Sequence, residues 1–194
     1  MDDSPLVRVL YTISVSQTKP KRFDVVLVER QLQQAGRVWG DALADALHGV
    51  IYDDEQADRL AHDYATAFSQ DYCERYKLTD AVRDIEKIEE CLETSKLRLD
   101  LQESGDDSSD QKSVTLKIYT KSSALVLSDV LPVLEHMGLR VMTEHPFVVT
   151  PGSGDVSVVI QDFTLLAPDA IDFKNLKPVF EQALIGIFGG SYAN

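Results

Sequence analysis

The sequence predicts an α+β protein, in which a four-stranded antiparallel sheet of split β-α-β order carries helices on one face beside a separate helical block. Three observations predict it. Between Val28 and Leu92 apolar residues recur every three or four positions, the period of amphipathic helices. From Ser95 the period turns to two, in short runs rich in Val, Ile and Thr. Between 95 and 190 those runs fall in the order strand, strand, helix, strand, strand, helix, which suits one sheet with its helices packed against it.

The elements follow in order. Residues 6–15, LVRVLYTISV, read as a strand after Pro5, and 16–24 as a polar loop around Lys19-Pro20-Lys21. Val28, Leu32, Ala35, Trp39, Leu43 and Leu47 form a helical stripe that His48-Gly49 closes. Gly36 and Gly40 weaken that helix by roughly 1 kcal/mol each relative to Ala, unless another element packs closely there. A second helix runs from about Asp54, with Ala57, Leu60, Ala61, Tyr64 and Phe68 on one face. Thr79 can cap a third, carrying Val82, Ile85, Ile88 and Leu92, and the acidic remainder of the block reads as a solvated face.

KLRLDLQ (96–102) alternates as a half-buried strand does, ESGDDSSDQ (103–111) has no apolar residue and reads as a hairpin loop, and SVTLKIYT (113–120) is the next strand. A helix runs from Ser128 or Asp129 to Met137 and stops at Gly138. Strands 139–149 and 156–166 flank the turn PGSGD (151–155). The last helix starts near Asn175, with Pro178 in its first turn and Leu176, Val179, Phe180, Ala183, Leu184 and Ile187 as its apolar face. A lone strand is not stable, so 6–15 must join this sheet, another copy, or sequence outside the chain.

The 194 residues carry 19 Lys+Arg against 32 Asp+Glu, a net charge of −13 shared by both halves. A chain of this size buries roughly 70% of its unfolded surface and needs no disulfide or metal staple. The charge argues against a nucleic-acid partner, which would be held by clustered Lys and Arg. No apolar run spans a membrane, and the acidic start MDDSP is unlike a signal peptide. Cys73 and Cys91, 18 apart, read as free thiols, and the expected compartment is the cytoplasm.

The chemistry-bearing residues do not converge. There is no G-x-G-x-x-G after a strand, no phosphate loop of the Walker type and no G-x-S-x-G elbow. His48, His62, His136 and His145 lack metal-ligand spacing, and His48 and His136 suit the last turns of helices. Adjacent acids such as Asp53-Asp54, Glu89-Glu90 and Asp106-Asp107 do not form a tuned acid/base pair. The expectation is therefore no catalytic residue, no metal and no cofactor in this chain. Ser122, Ser123, Ser128 and Asp129 surround a helix start that could take a carboxylate or phosphate. The competing reading is that Ser128 or Asp129 simply caps the helix.

One stretch is more specific than its physics requires. LSDVLPVLEHMGLRVMTEHPFVV (127–149), followed by IQDFTL (160–165), resembles the regulatory region of the large bacterial NAD-dependent glutamate dehydrogenases. RVWGDALADAL (37–47) is similar to a helical segment upstream in that family, and IFGGSYAN (187–194) to its junction with the catalytic part. The resemblance implies ACT-like domains, of the ferredoxin-like split β-α-β kind. It divides the chain into a partial ACT-like unit (1–52), a helical connector (53–94), an ACT-like domain (95–190) and the start of a junction (191–194).

It further implies that NAD and the chemistry belong to a parent polypeptide. The expected partners are the remainder of that polypeptide, further copies in a homo-oligomer, and an amino-acid effector at Ser122, Ser123, Ser128 and Asp129. Effector-binding ACT domains often place a glycine or other small residue in this loop so that backbone can approach an amino acid. The 120–128 loop, TKSSALVLS, has no glycine and is mostly apolar after Ser123, so an architectural role stands beside the sensing one. An α+β interaction module unrelated to glutamate remains the third reading.

Overall fold

A computed structural model of the chain describes residues 39–51, 53–103, 112–152, 154–167 and 173–189. The expected strand 6–15, the loop 16–24, the first part of the first helix, most of the acidic loop 103–111 and the junction 191–194 lie outside the described residues.

The helical block comes first. The described part of α1 covers 39–48. It is followed by α2 (Asp54–Tyr64), α3 (Gln70–Arg75) and α4 (Leu78–Thr94). Asp53 caps α2 by accepting from the N–H groups of Glu55 and Gln56. The expected helix 54–68 is in fact two, because Ser69 caps a new helix through the Tyr72 N–H. Phe68 keeps its place in the core although it falls in the turn. That turn is where α1 approaches: a Cβ on Gly40 would sit 3.1 Å from the Ala65 carbonyl oxygen, so this glycine has the close neighbour that offsets its low propensity. α4 starts one residue before Thr79, and its first turn is closed by the Asp80 carboxylate accepting from the Lys77 N–H.

The sheet contains β1 (Arg98–Glu103), β2 (Lys112–Lys121), β3 (Arg140–Val149) and β4 (Val158–Ala167), with α5 (Leu127–His136) between β2 and β3 and α6 (Phe173–Phe188) at the end. The spatial order is β1-β2-β4-β3, antiparallel throughout. β4 thus lies between β2 and β3, which are joined through α5, and this is the split β-α-β arrangement. The outer strand β3 carries Pro146 and a register shift between Val141 and Thr143, both tolerated at an edge. At the β3–β4 turn Gly152 has φ +60, and its N–H donates to the Asp63 carbonyl of α2.

Both sheet faces are covered. On one, Leu99, Leu101, Val114, Leu116, Ile118, Phe163 and Leu165 pack with α5 (Val130, Leu134) and α6 (Phe180, Leu184, Phe188). On the other, Tyr119, Phe147, Val149, Val158 and Ile160 pack with the helical block through Leu60, Tyr64, Tyr72, Ile85 and Ile88. The helices of the split unit therefore share one face, as expected, and the block 54–93 packs on the opposite face rather than projecting.

Two further expectations need correction. Pro178 lies in the second turn of α6, not the first, because the helix begins at Phe173; Pro132 sits equally deep in α5. Each proline deletes one ladder bond, and the buried contacts of both helices hold them regardless. On α6 the buried side is Phe180, Leu184 and Phe188, whereas Val179 and Ile187 are exposed.

Candidate functional site

Polar chemistry concentrates where the helical block meets the sheet. Asp84 lies on the apolar stripe of α4, between Ala81 and Ile88, and its carboxylate is buried. Isolated there it would cost several kcal/mol. It accepts from three donors: Lys117 Nζ at 2.6 Å and the Tyr72 hydroxyl at 2.5 Å, both on Oδ2, and the Tyr119 hydroxyl at 2.8 Å on Oδ1. Lys117 is almost as deeply buried, with its ammonium 3.8 Å from the Tyr76 ring centroid, a desolvated cation–π contact. Tyr76 in turn donates to Asp162 Oδ2.

The strand register extends this array across the sheet. Asp100 of β1 stands opposite Lys117 of β2, Lys117 opposite Asp162 of β4, and Asp162 opposite His145 of β3. The four residues form one row of acid, base, acid and imidazole on the face toward the helices. At the β1 edge, Lys177 of α6 reaches Asp100 at 3.1 Å, and Glu181 accepts from the Leu101 N–H. A polar pocket of about 190 Å³ opens beside Lys117, between Tyr76, Asp80, Asp100 and Gln102.

Burial governs the titration of this array. It pushes the Asp84 carboxyl above the usual value, against the opposing pull of Lys117 and the tyrosine hydroxyls. Burial, followed by the charge of Asp84, raises the Tyr72 and Tyr119 hydroxyls, and burial with the bond to Asp162 raises Tyr76. These tyrosines stay protonated and donate. A carboxylate with three donors, one of them a buried ammonium, ties the helical block to the sheet. Aromatic stacking extends this junction from Trp39 through Phe68 and Tyr72 to Tyr76, with Phe147 of β3 edge-on to the last two.

The residues singled out from sequence lie elsewhere. Ser122 and Ser123 form the bend after β2, Ser122 with φ +67 and its N–H on the Ser157 carbonyl. Ser128 and Asp129 lie in the first turn of α5 and bond each other at 3.4 Å. All four are exposed. The capping expectation fails by one turn position: α5 starts at Leu127, Val126 is the cap residue, and no side chain caps it. What fixes this loop is Gln161 of β4, buried, whose amide accepts from the Leu125 N–H at 2.6 Å and donates to its carbonyl at 3.1 Å.

Asp84, Lys117 and Gln161 were not found from sequence. The one available signal was that Asp84 is in phase with the apolar stripe of its helix. Among the described residues there is no group of three or more His, Cys, Asp or Glu that could hold a metal ion. Cys73 and Cys91 are free, and burial raises both thiols.

Two family models match this geometry in sequence. One, described as "Glutamate dehydrogenase, ACT3 domain", matches residues 96–176, the sheet with α5 and the start of α6. The other, "Glutamate dehydrogenase, helical motif 2", matches 50–91, the helices that cover its second face. The chain carries the ACT3 domain and helical motif 2 of glutamate dehydrogenases.

Curated relatives agree. The chain is 29% identical over its whole length to an NAD-specific glutamate dehydrogenase of Halomonas elongata. It is 27% identical over 99% of its length to that of Pseudomonas aeruginosa and 32% identical over 85% to that of Mycobacterium tuberculosis. It spans only about 12%, 12% and 10% of the lengths of these three relatives. In family terms, the Asp84–Lys117 pair joins helical motif 2 to the ACT3 domain. No helix among the described residues is long and apolar enough to cross a membrane.

Proposed function

We propose that this chain is a non-catalytic regulatory and assembly portion of a longer, cytoplasmic glutamate dehydrogenase polypeptide. The parent reaction would convert L-glutamate, NAD and water to 2-oxoglutarate, ammonia and NADH. The observation that carries the reading is the use made of Asp84 and Lys117. Among the described residues, the most deeply buried acid and base are spent on each other, joining the helical motif to the sheet. The β2–α5 turn, residues 122–126, contains no glycine and does not fit the pyrophosphate of NAD, so the cofactor would be held by other parts of the parent.

The division into a partial ACT-like unit (1–52), a connector (53–94), an ACT-like domain (95–190) and a junction (191–194) is supported by the family resemblance. The partners on this reading are the remainder of the polypeptide and further copies in a homo-oligomer. The test is an assay of glutamate-dependent NAD reduction by the purified chain. No NADH is expected, and turnover proportional to the chain would overturn the non-catalytic reading.

A second reading, an amino-acid effector site at Ser122, Ser123, Ser128 and Asp129, is favoured by the anchoring of that exposed loop on Gln161. A thermal-shift screen of the twenty amino acids and 2-oxoglutarate tests it. An effector at about 100 times its dissociation constant adds roughly 2.7 kcal/mol of stability. The shift is expected to vanish in Ser123→Ala and Asp129→Ala, and a flat response to every compound would remove this reading.

A further inference from the structure

Where α1, α2 and α4 meet, they leave a groove of about 440 Å³. Its floor is apolar, with Leu47, Leu60 and Ile85 beneath and Val50, 62% exposed, at the lip. Its wall is acidic: Glu86, Glu89, Glu90 and Glu93 all line it from α4. Glu89 is engaged by Arg59 and the Tyr64 hydroxyl, and Glu90 by Lys87 and Arg98. Glu86 and Glu93 are exposed and make no hydrogen bond or ion pair among the described residues.

This wall is unfavourable for α4 by itself. Glu86 and Glu90, and Glu89 and Glu93, are like charges four apart, which destabilise a helix. Glu90 and Glu93 also crowd toward the helix C-terminus, where the dipole disfavours anions, and the last turn has no basic residue. A local rule broken this way on an exposed face beside an apolar groove is the mark of a surface built for a partner of opposite charge.

We propose that this groove docks a basic amphipathic helix, with Lys or Arg at three- and four-residue spacing and an aliphatic anchor, supplied by a part of the same polypeptide outside these 194 residues. The glutamate row extends over about 10 Å of α4, matching two turns of a partner helix laid along it. A second copy of this chain, at net charge −13, would bring like charge to the groove, and so would nucleic acid or an anionic membrane. The parent polypeptide is the source chosen because the chain spans about a tenth of its relatives' length, and a tethered segment binds at high effective concentration. The inference rests on the reading of the chain as part of a longer protein.

The test compares amide hydrogen exchange of residues 47–60 and 78–94 in the polypeptide as its cell makes it and in the isolated 194-residue chain. The polypeptide's mass is read first: a product of 194 residues would sink the parent reading itself. In a longer product the groove amides are expected to exchange about tenfold more slowly than in the isolated chain. Glu86→Lys/Glu93→Lys, or about 0.5 M salt, is expected to abolish that difference, with Glu86→Gln/Glu93→Gln intermediate. The isolated variants should exchange no faster than the isolated parent chain, since each relieves two like-charge pairs on α4. Equal exchange in the long and short forms would overturn the docking alone. Protection insensitive to charge reversal and salt would mean an occupant that is not basic, and protection that appears in the isolated chain on raising its concentration would mean a second copy. Either would overturn it too.

Discussion

Lys117 of β2 and Asp84 of α4 meet at 2.6 Å with side-chain exposures of 6% and 1%, so a buried cation and a buried anion are each other's partners. Breaking such a pair leaves one ion stranded. Asp84→Ala or Lys117→Ala is expected to lower stability by about 3–5 kcal/mol. The double variant Asp84→Ala/Lys117→Ala strands neither ion and should cost clearly less than the two single changes together. Denaturant midpoints measure all three, and additive losses would mean that the two groups are not coupled.

The pH dependence has a definite sign. Burial raises the Asp84 pKa in the folded state above its unfolded value, so the folded state binds that proton more tightly. The stability this group contributes is fully present below the unfolded value and is lost as pH rises through the folded one. Wild type should therefore lose stability relative to Asp84→Asn as pH is raised from about 4. Urea titrations at several pH values follow the difference, and a gain for wild type with rising pH would reverse the assignment.

Gln161 holds the β2–α5 loop by both backbone groups of Leu125. Gln161→Leu leaves those buried groups without partners, at a cost of about 1–3 kcal/mol. The amides of 122–126 should exchange faster than those of α5, while the sheet stays unaffected. Uniform loosening of the domain would show that Gln161 acts on the core instead.

Gly40 tests the contact between α1 and the α2–α3 turn. Alanine would gain roughly 1 kcal/mol of helix propensity at an open site. Here its Cβ meets the Ala65 carbonyl oxygen at 3.1 Å, and backbone yields poorly, so Gly40→Ala should lose about 1–3 kcal/mol. Increased stability in a thermal melt would mean that α1 is free to move away.

The fold of 95–190 was legible because its period-two runs and its helix stops at Gly138 and Gly189 are local signals. The buried array was not. Lys117 alternates with Leu116 and Ile118, and that alternation reads as one buried and one wet face. The wet reading fails because the helical block covers the second face, and nothing in β2 itself announces a cover supplied from 30 residues upstream. Asp84 was hidden for the same reason, as one acid among many on a block whose acidic residues otherwise face solvent. The split of the expected helix 54–68 was missed because Ser69 as a cap was outweighed by an apolar period that continues through the turn. On α6 the apolar residues exceed what one face can bury, so periodicity alone could not choose between Val179 and Phe180. The loop residues Ser122, Ser123, Ser128 and Asp129 were correctly placed around a helix start, but what steadies that loop comes from a distant strand.

The helical motif and the ACT3 sheet form one unit joined at Asp84–Lys117. Native-state hydrogen exchange tests it most directly, through the amides of Ile85 and Ile88 in α4 and of Ile118 and Ile160 in the sheet. One unit predicts the same opening free energy for all four, falling together in Lys117→Ala. If α4 opened at much lower free energy than the sheet, and Lys117→Ala left the sheet unchanged, helix and sheet would be separate bodies in contact and the account would be wrong.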